Sequence, residues 1–124
     1  MKIIVTFAVP SEFAPWRRLR KFESGGDGTF VMRNGEAEVH VFITGVGARK
    51  CCLPDGDIYV ISGVAGSLKE EHGIGKILVA KNIRTEGIDS LMTSDGSLVS
   101  GAARADSSSA AYRWSACRTS SSFL

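Results

Sequence analysis

Three short segments of this chain carry residue types that could do chemistry. Glu12 lies just past an apolar run, Ile3 to Val9, which Pro10 ends. Thr44-Gly45-Val46-Gly47 and Ser62-Gly63-Val64-Ala65-Gly66 are glycine turns, and each follows another apolar run. In open α/β sheets, ligands bind outside the carboxyl ends of the strands. Glycine at such an end lets backbone N–H groups approach a phosphate, a sugar or an oxyanion. A carboxylate beside them can act as a general base or orient a water. Each feature also has a plainer origin. Glycine serves many turns that bind nothing, and Glu in a first helical turn suits the helix dipole.

These segments need elements to position them. Lys2 to Val9, KIIVTFAV, reads as a buried strand. Ser11 is the expected N-cap of a following helix, with Glu12 in the first turn and Pro15 early enough to be tolerated. Phe13, Trp16, Leu19 and Phe22 form an apolar stripe at helical spacing, and Arg17, Arg18, Arg20 and Lys21 make a solvated face. Residues 24–28 read as a loop. Residues 29–33 and 36–44 read as a β-hairpin around Asn34-Gly35, the strongest short hairpin signal. In its second strand Val39, Val41 and Ile43 alternate with Glu38, His40 and Phe42, which places His40 on the more polar face as a surface or hydrogen-bonded residue. Residues 57–62, DIYVIS, form a further buried strand, 67–75 a loop, 76–83 another strand, and 90–99 a weakly helical stretch. The order is β-α-β-β-β-β. One conflict stands out: the nine residues Ala48 to Gly56 are too few for the helix that usually crosses between parallel strands.

Composition narrows the classes. A chain of 124 residues that is 44% hydrophobic suits one soluble domain and excludes a wholly disordered chain or a disulfide-framework mini-protein. The apolar runs are too short and broken for a transmembrane helix, and the N-terminus shows no signal-peptide pattern. Three cysteines, two of them the adjacent Cys51 and Cys52, point to reduced thiols and a cytoplasmic location. Adjacent cysteines are a poor zinc motif, and Glu70-Glu71-His72 reads as exposed loop. Residues 1–100 balance 12 basic against 12 acidic side chains. The net charge of +2 therefore comes wholly from Arg104, Arg113 and Arg118 against Asp106. The body has no electrostatic footprint for nucleic acid, and no membrane partner is expected. A dinucleotide site is excluded, because VPSEF rather than a glycine-rich turn follows the first strand.

Four segments together resemble a known family: MKIIVTFAVPSEF, the strand-end TGVG, DIYVISGVAGSL and GIGKILVAKNI. In this order they are similar to the N-terminal half of the nucleoside phosphorylase and nucleosidase superfamily. Its members include purine nucleoside phosphorylases, methylthioadenosine/adenosylhomocysteine nucleosidases and futalosine hydrolases. The resemblance implies an α/β phosphorylase-type sandwich around a mixed central sheet, here an incomplete one. It implies cleavage of the N-glycosidic bond of a purine-type nucleoside through an oxocarbenium-like transition state. Glu12 then matches the acidic residue that orients the attacking water. Gly45, Val46 and Gly47 match the turn beside the substrate or phosphate pocket. Ser62, Gly63, Val64, Ala65 and Gly66 match the loop that approaches the ribose. The resemblance implies no cofactor, with phosphate a co-substrate in the phosphorolytic branch, and a homo-oligomer.

Several positions depart from the family pattern. Val64 stands where many phosphorylases carry a phosphate-binding Ser, and Ile61 where some carry Arg, which favours hydrolysis over phosphorolysis. The helix after TGVG shrinks to ARKCCLPDG, and Lys76 replaces a usual acid. After about Val99 nothing matches the half that supplies the purine pocket and the catalytic acid. The expectation is thus a partial phosphorylase-like domain over 1–99 and a disordered Ser/Ala/Arg-rich tail over 100–124, with a short helix across Gly101 to Tyr112 as the alternative. Such a chain would lack part of its catalytic machinery. The competing reading is a non-catalytic module that binds a nucleoside or associates through unpaired sheet edges.

Overall fold

A run that is apolar on both faces belongs in the middle of a sheet, and Lys2–Phe7 lies there. The structure, a computed structural model, describes residues 1–48, 51–84, 91–105 and 117–118. It is mixed α/β and divides into two units, Met1–Gly66 and Ser67–Leu124. In the first unit β1 (Lys2–Phe7), β2 (Glu23–Ser24), β3 (Phe30–Asn34), β4 (Ala37–Ile43) and β5 (Ile58–Ile61) form a five-stranded sheet in the order β2-β3-β4-β1-β5. β1 runs parallel to both β4 and β5, whereas β2, β3 and β4 pair antiparallel. Ile4, Val5, Thr6 and Phe7 are all buried, as a central parallel strand requires.

Register sets the core. Val5 lies opposite Val41 and Val60, and Ile3 opposite Val39 and Ile58. Phe30 and Met32 extend the same face through Val41 and Val39. The helix α1 (Pro10–Leu19) adds Phe13 and Trp16 to this core cluster. Phe13 is the hub, with ring centroids of Phe22, Phe30, Phe7 and Trp16 at 5.0, 5.1, 5.6 and 6.1 Å.

The helix corrects four sequence expectations. Ser11 is not the N-cap; the helix starts two residues earlier, with Val9 at the cap and Pro10 in the first turn, where its missing N–H costs nothing. Pro15 therefore lies inside the helix rather than in its first turn. Leu19 leaves the apolar stripe and is 79% exposed. The chain turns extended at Arg20 and brings Phe22 back to the cluster instead. Arg17 also departs from a purely solvated role, since its guanidinium sits 4.4 Å from the centre of the Phe30 ring.

The hairpin forms with its loop shifted by one residue. Asn34 pairs with Ala37, so the loop is Gly35-Glu36, and Gly35 takes the positive φ of 60°. Glycine has no steric cost there, which frees Asn34 to extend the strand. His40 meets expectation, with Nε2 2.8 Å from Glu38 Oε1. Glu23–Ser24 pairs with β3 although the sequence suggested a loop from residue 24.

The short crossover proves sufficient. β5 lies on the far side of β1 from β4, about 10 Å away, and returning along its four residues needs about 13 Å. The 14 residues between Ile43 and Ile58 could span about 46 Å if extended. Their described part contains no helix. Tyr59 fastens its end, with the hydroxyl accepting from the Gly56 N–H at 2.9 Å and donating to the Pro54 carbonyl at 3.1 Å.

The second unit contains β6 (Asn82–Arg84), β7 (Leu91–Thr93), α2 (Gly96–Ala105) and β8 (Cys117–Arg118), with sheet order β7-β6-β8. The strand expected over 76–83 is largely absent: residues 76–80 are irregular, and Ile77 and Leu78 are exposed. These residues gain no strand neighbour, so their β propensity has nothing to act on. The helical stretch expected over 90–99 divides into β7 and the start of α2. Asp95 makes that boundary by accepting the N–H groups of Ser97 and Leu98 at 2.9 and 3.1 Å. α2 runs through residue 100 to Ala105, and so covers the start of both the expected tail and its alternative helix. Residues 106–116 and 119–124, with Arg113 and Trp114, lie outside the described residues. His72 is buried at 7% exposure, against the exposed position expected of it. Among the described residues no helix is long and apolar enough to cross a membrane.

Candidate functional site

The ends of β1 and β5 and the first turn of α1 meet at Glu12. A helix start leaves backbone N–H groups without intrahelical partners. Val9, at the cap, has no side-chain acceptor. Glu12, three residues on, bends back and supplies one. Its Oε2 accepts the Ala8 and Val9 N–H groups at 3.1 and 3.3 Å. Its Oε1 accepts the Val64 N–H at 3.1 Å, from the loop after β5. The carboxylate therefore joins segments 52 residues apart in the chain.

These bonds also set its charge. The Val64 amide is the main cause holding the Glu12 carboxyl below its ordinary value; partial desolvation opposes this, and the Val9 and Ala8 amides add to it. The group is ionised at neutral pH. A carboxylate offers about four acceptor positions. Three backbone donors leave room for a water or a ligand hydroxyl. A carboxylate held this way is a weak base and a firm hydrogen-bond acceptor.

Glu12 lies on the wall of an open cleft of about 520 Å³, lined by Ile3, Val5, Phe7, Trp16, Val39, Val60 and Ser62 as well. This size suits a small organic ligand. Glu12 and Ser62 are its polar residues among those lining it. The sequence pattern put Trp16 on an apolar helix stripe and read Lys2 to Val9 as a buried strand. That they also wall a cleft was not readable, because alternation gives a face and not how fully it is covered.

The two glycine turns stand differently to this centre. Thr44 N–H donates to Phe7 O at 2.9 Å and Gly45 N–H to Ala8 O at 3.0 Å, which ties the first turn to β1. Ala8 thus bonds Gly45 through its carbonyl and Glu12 through its N–H. Gly45 and Gly47 have φ of 86° and 67°, which explains glycine at both. Val46 is 82% exposed, and none of these three lines the cleft. In the second turn Ser62 N–H donates to Thr6 O at 2.9 Å, and Val64 N–H is held by Glu12. The amides of Gly45, Ser62 and Val64 thus hold the site together. Of the two turns, Ser62 is the residue that lines the cleft.

Cys51 and Cys52 are free and exposed. Among the described residues no group of three or more His, Cys, Asp or Glu side chains could hold a metal ion. Comparison with protein-family models, with curated proteins and with solved structures finds no match to this chain.

Proposed function

We propose that this chain carries part of a site for cleaving the N-glycosidic bond of a purine-type nucleoside, with a phosphorylase-type sandwich as its parent fold. One observation carries the reading. Glu12 and the SGVAG loop, far apart in sequence, meet through the Val64 N–H bond at the carboxyl ends of β1 and β5. Glu12 would orient a water at the anomeric carbon. The C–N bond breaks as the water oxygen bonds to that carbon. One water proton remains as the new hydroxyl and the other goes to the departing base. A low-pKa carboxylate suits orienting the water and stabilising positive charge on the ribose. Protonating the base needs a separate acid, and among the described residues lining the cleft Glu12 is the one titratable group.

Under this reading the described part of the cleft is catalytically incomplete. The test is calorimetric titration with adenosine, inosine and methylthioadenosine, paired with an assay of base release with and without phosphate. Binding without release is expected. Release at ordinary enzymatic rates overturns the incompleteness, and no binding of any of the three overturns the nucleoside assignment. The free, exposed Cys51 and Cys52 support a cytoplasmic location within the same proposal.

A second reading, an oligomerising module, has its own support. β5 is an edge strand in its sheet, with Tyr59, Val60 and Ile61 at 53, 38 and 83% exposure. No charge falls between Ile58 and Leu68, and an uncharged apolar edge favours pairing with another chain.

A further inference from the structure

We propose that Gly63 is a positioning residue for Glu12: the absence of a side chain there lets the Val64 N–H reach Oε1 while Oε2 stays seated on the Ala8 and Val9 amides. A Cβ built on Gly63 would lie 3.1 Å from Glu12 Oε1, 3.4 Å from Cδ and 3.4 Å from Oε2. All three nearest atoms belong to the carboxyl group, so a side chain here would press on that group before anything else. Space is the reason, because Gly63 is not among the glycines with positive φ. The other turn glycines differ. Gly45 and Gly47 have positive φ with open space around them, so the backbone requires them. Gly66 has neither a positive φ nor any atom within 4 Å of an added Cβ.

The carboxylate is held at both ends, by Val64 on Oε1 and by Ala8 and Val9 on Oε2. These contacts fix its position and the plane it presents to the cleft. A methyl group at residue 63 would displace Oε1 by a few tenths of an ångström, enough to lengthen and bend the Val64 bond. The fold can absorb this, because the displaced atoms end a flexible side chain. Among the described residues lining the cleft, no other charge would compensate. The cleft-lining groups around Glu12 are Ile3, Val5 and Phe7 from β1, Trp16 from α1, and Val60 and Ser62 from β5 and its loop, none titratable. For its meaning in catalysis this inference rests on the nucleoside reading above. For its geometry it does not.

The test follows the Glu12 side-chain carboxyl by carbon-13 NMR through an acid titration of the whole chain, in wild type, Gly63→Ala and Gly66→Ala. Wild type titrates below 4.5. Gly63→Ala moves the midpoint up toward that value and shifts the Val64 amide proton as its bond weakens, while the amide spectrum elsewhere stays intact. Gly66→Ala leaves both unchanged. A Gly63→Ala midpoint equal to wild type, or an equal rise in Gly66→Ala, overturns the proposal. If Gly63→Ala does not fold, the wild type decides. Its Val64 amide proton must titrate with the Glu12 midpoint, and a flat Val64 trace overturns the proposal. A chain that titrates this way yet binds no nucleoside upholds the role of Gly63 and overturns only the nucleoside reading.

Discussion

Truncating Phe13 to Ala tests whether one ring joins α1 to the sheet. Phe13 is 2% exposed and touches four aromatic neighbours. Removing a buried Phe side chain costs about 3–5 kcal/mol, because the lost transfer energy adds to the cavity left behind. Aromatic pairs add about 0.5–1.5 kcal/mol each, but all four share one ring and will not sum. A unit the size of Met1–Gly66 has a total stability of roughly 3–10 kcal/mol. Phe13→Ala should therefore remove about 4 kcal/mol and leave that unit marginal or unfolded. Leu19 lies on the same sequence stripe yet is 79% exposed, so Leu19→Ala should change stability by no more than about 0.5 kcal/mol. The assay is urea unfolding followed by Trp16 fluorescence in a Trp114→Phe background, where Trp16 is the sole tryptophan. Equal costs for the two variants, or a Phe13→Ala cost under about 1 kcal/mol, would refute the placement of the helix.

Three further outcomes follow from the same structure. The folded pKa of Glu12 lies below the ordinary 4.5, so the unfolded chain binds more protons between the two values. The stability it contributes is complete above about pH 4.5 and is lost as pH falls through the folded value. Glu12→Gln should flatten that acid limb of the stability curve, and an unchanged limb counts against the three-amide seat. A Cβ on Gly56 would lie 2.5 Å from Cγ1 and 3.2 Å from Cδ1 of Ile4, which is fully buried and cannot retreat. Gly56→Ala should cost about 1–3 kcal/mol in thermal or urea unfolding, whereas a neutral result would show that the packing there is loose. Ile61→Lys, at an exposed position on the β5 edge, should lower self-association in sedimentation velocity without loss of stability. An unchanged sedimentation profile for a self-associating wild type would exclude that edge as the contact.

The first 66 residues were the legible part of this chain, and the reason is periodicity. β1 reads as a continuous apolar run because both its faces are buried, and β4 alternates because His40 and Val41 face different surroundings. What failed there was local. Val9 rather than Ser11 caps α1 because Pro10 fits the first turn and Glu12 supplies the capping acceptor from within the helix. Leu19 satisfies the helical spacing, but the helix stops at it and Phe22 takes the place in the cluster. The glycine turns and Glu12 could be marked as a pair of features, but their joining could not. The Val64 amide and the Glu12 carboxylate meet only because β5 lies beside β1, and strand order is not written in any one segment. Beyond Ser67 the apolar letters of 76–80 resembled a strand, yet a strand also needs a neighbour, which sequence pattern does not supply. The burial of His72 likewise has no local signal in Glu70-Glu71-His72.

The most direct measurement is amide chemical-shift mapping of the isotope-labelled chain during titration with methylthioadenosine, adenosine and inosine. The account predicts saturable shifts centred on Ala8, Glu12 and residues 62–66, extending to Gly45–Gly47, and weakened by Glu12→Gln. Saturable shifts centred elsewhere, or none with any of the three nucleosides, would contradict it.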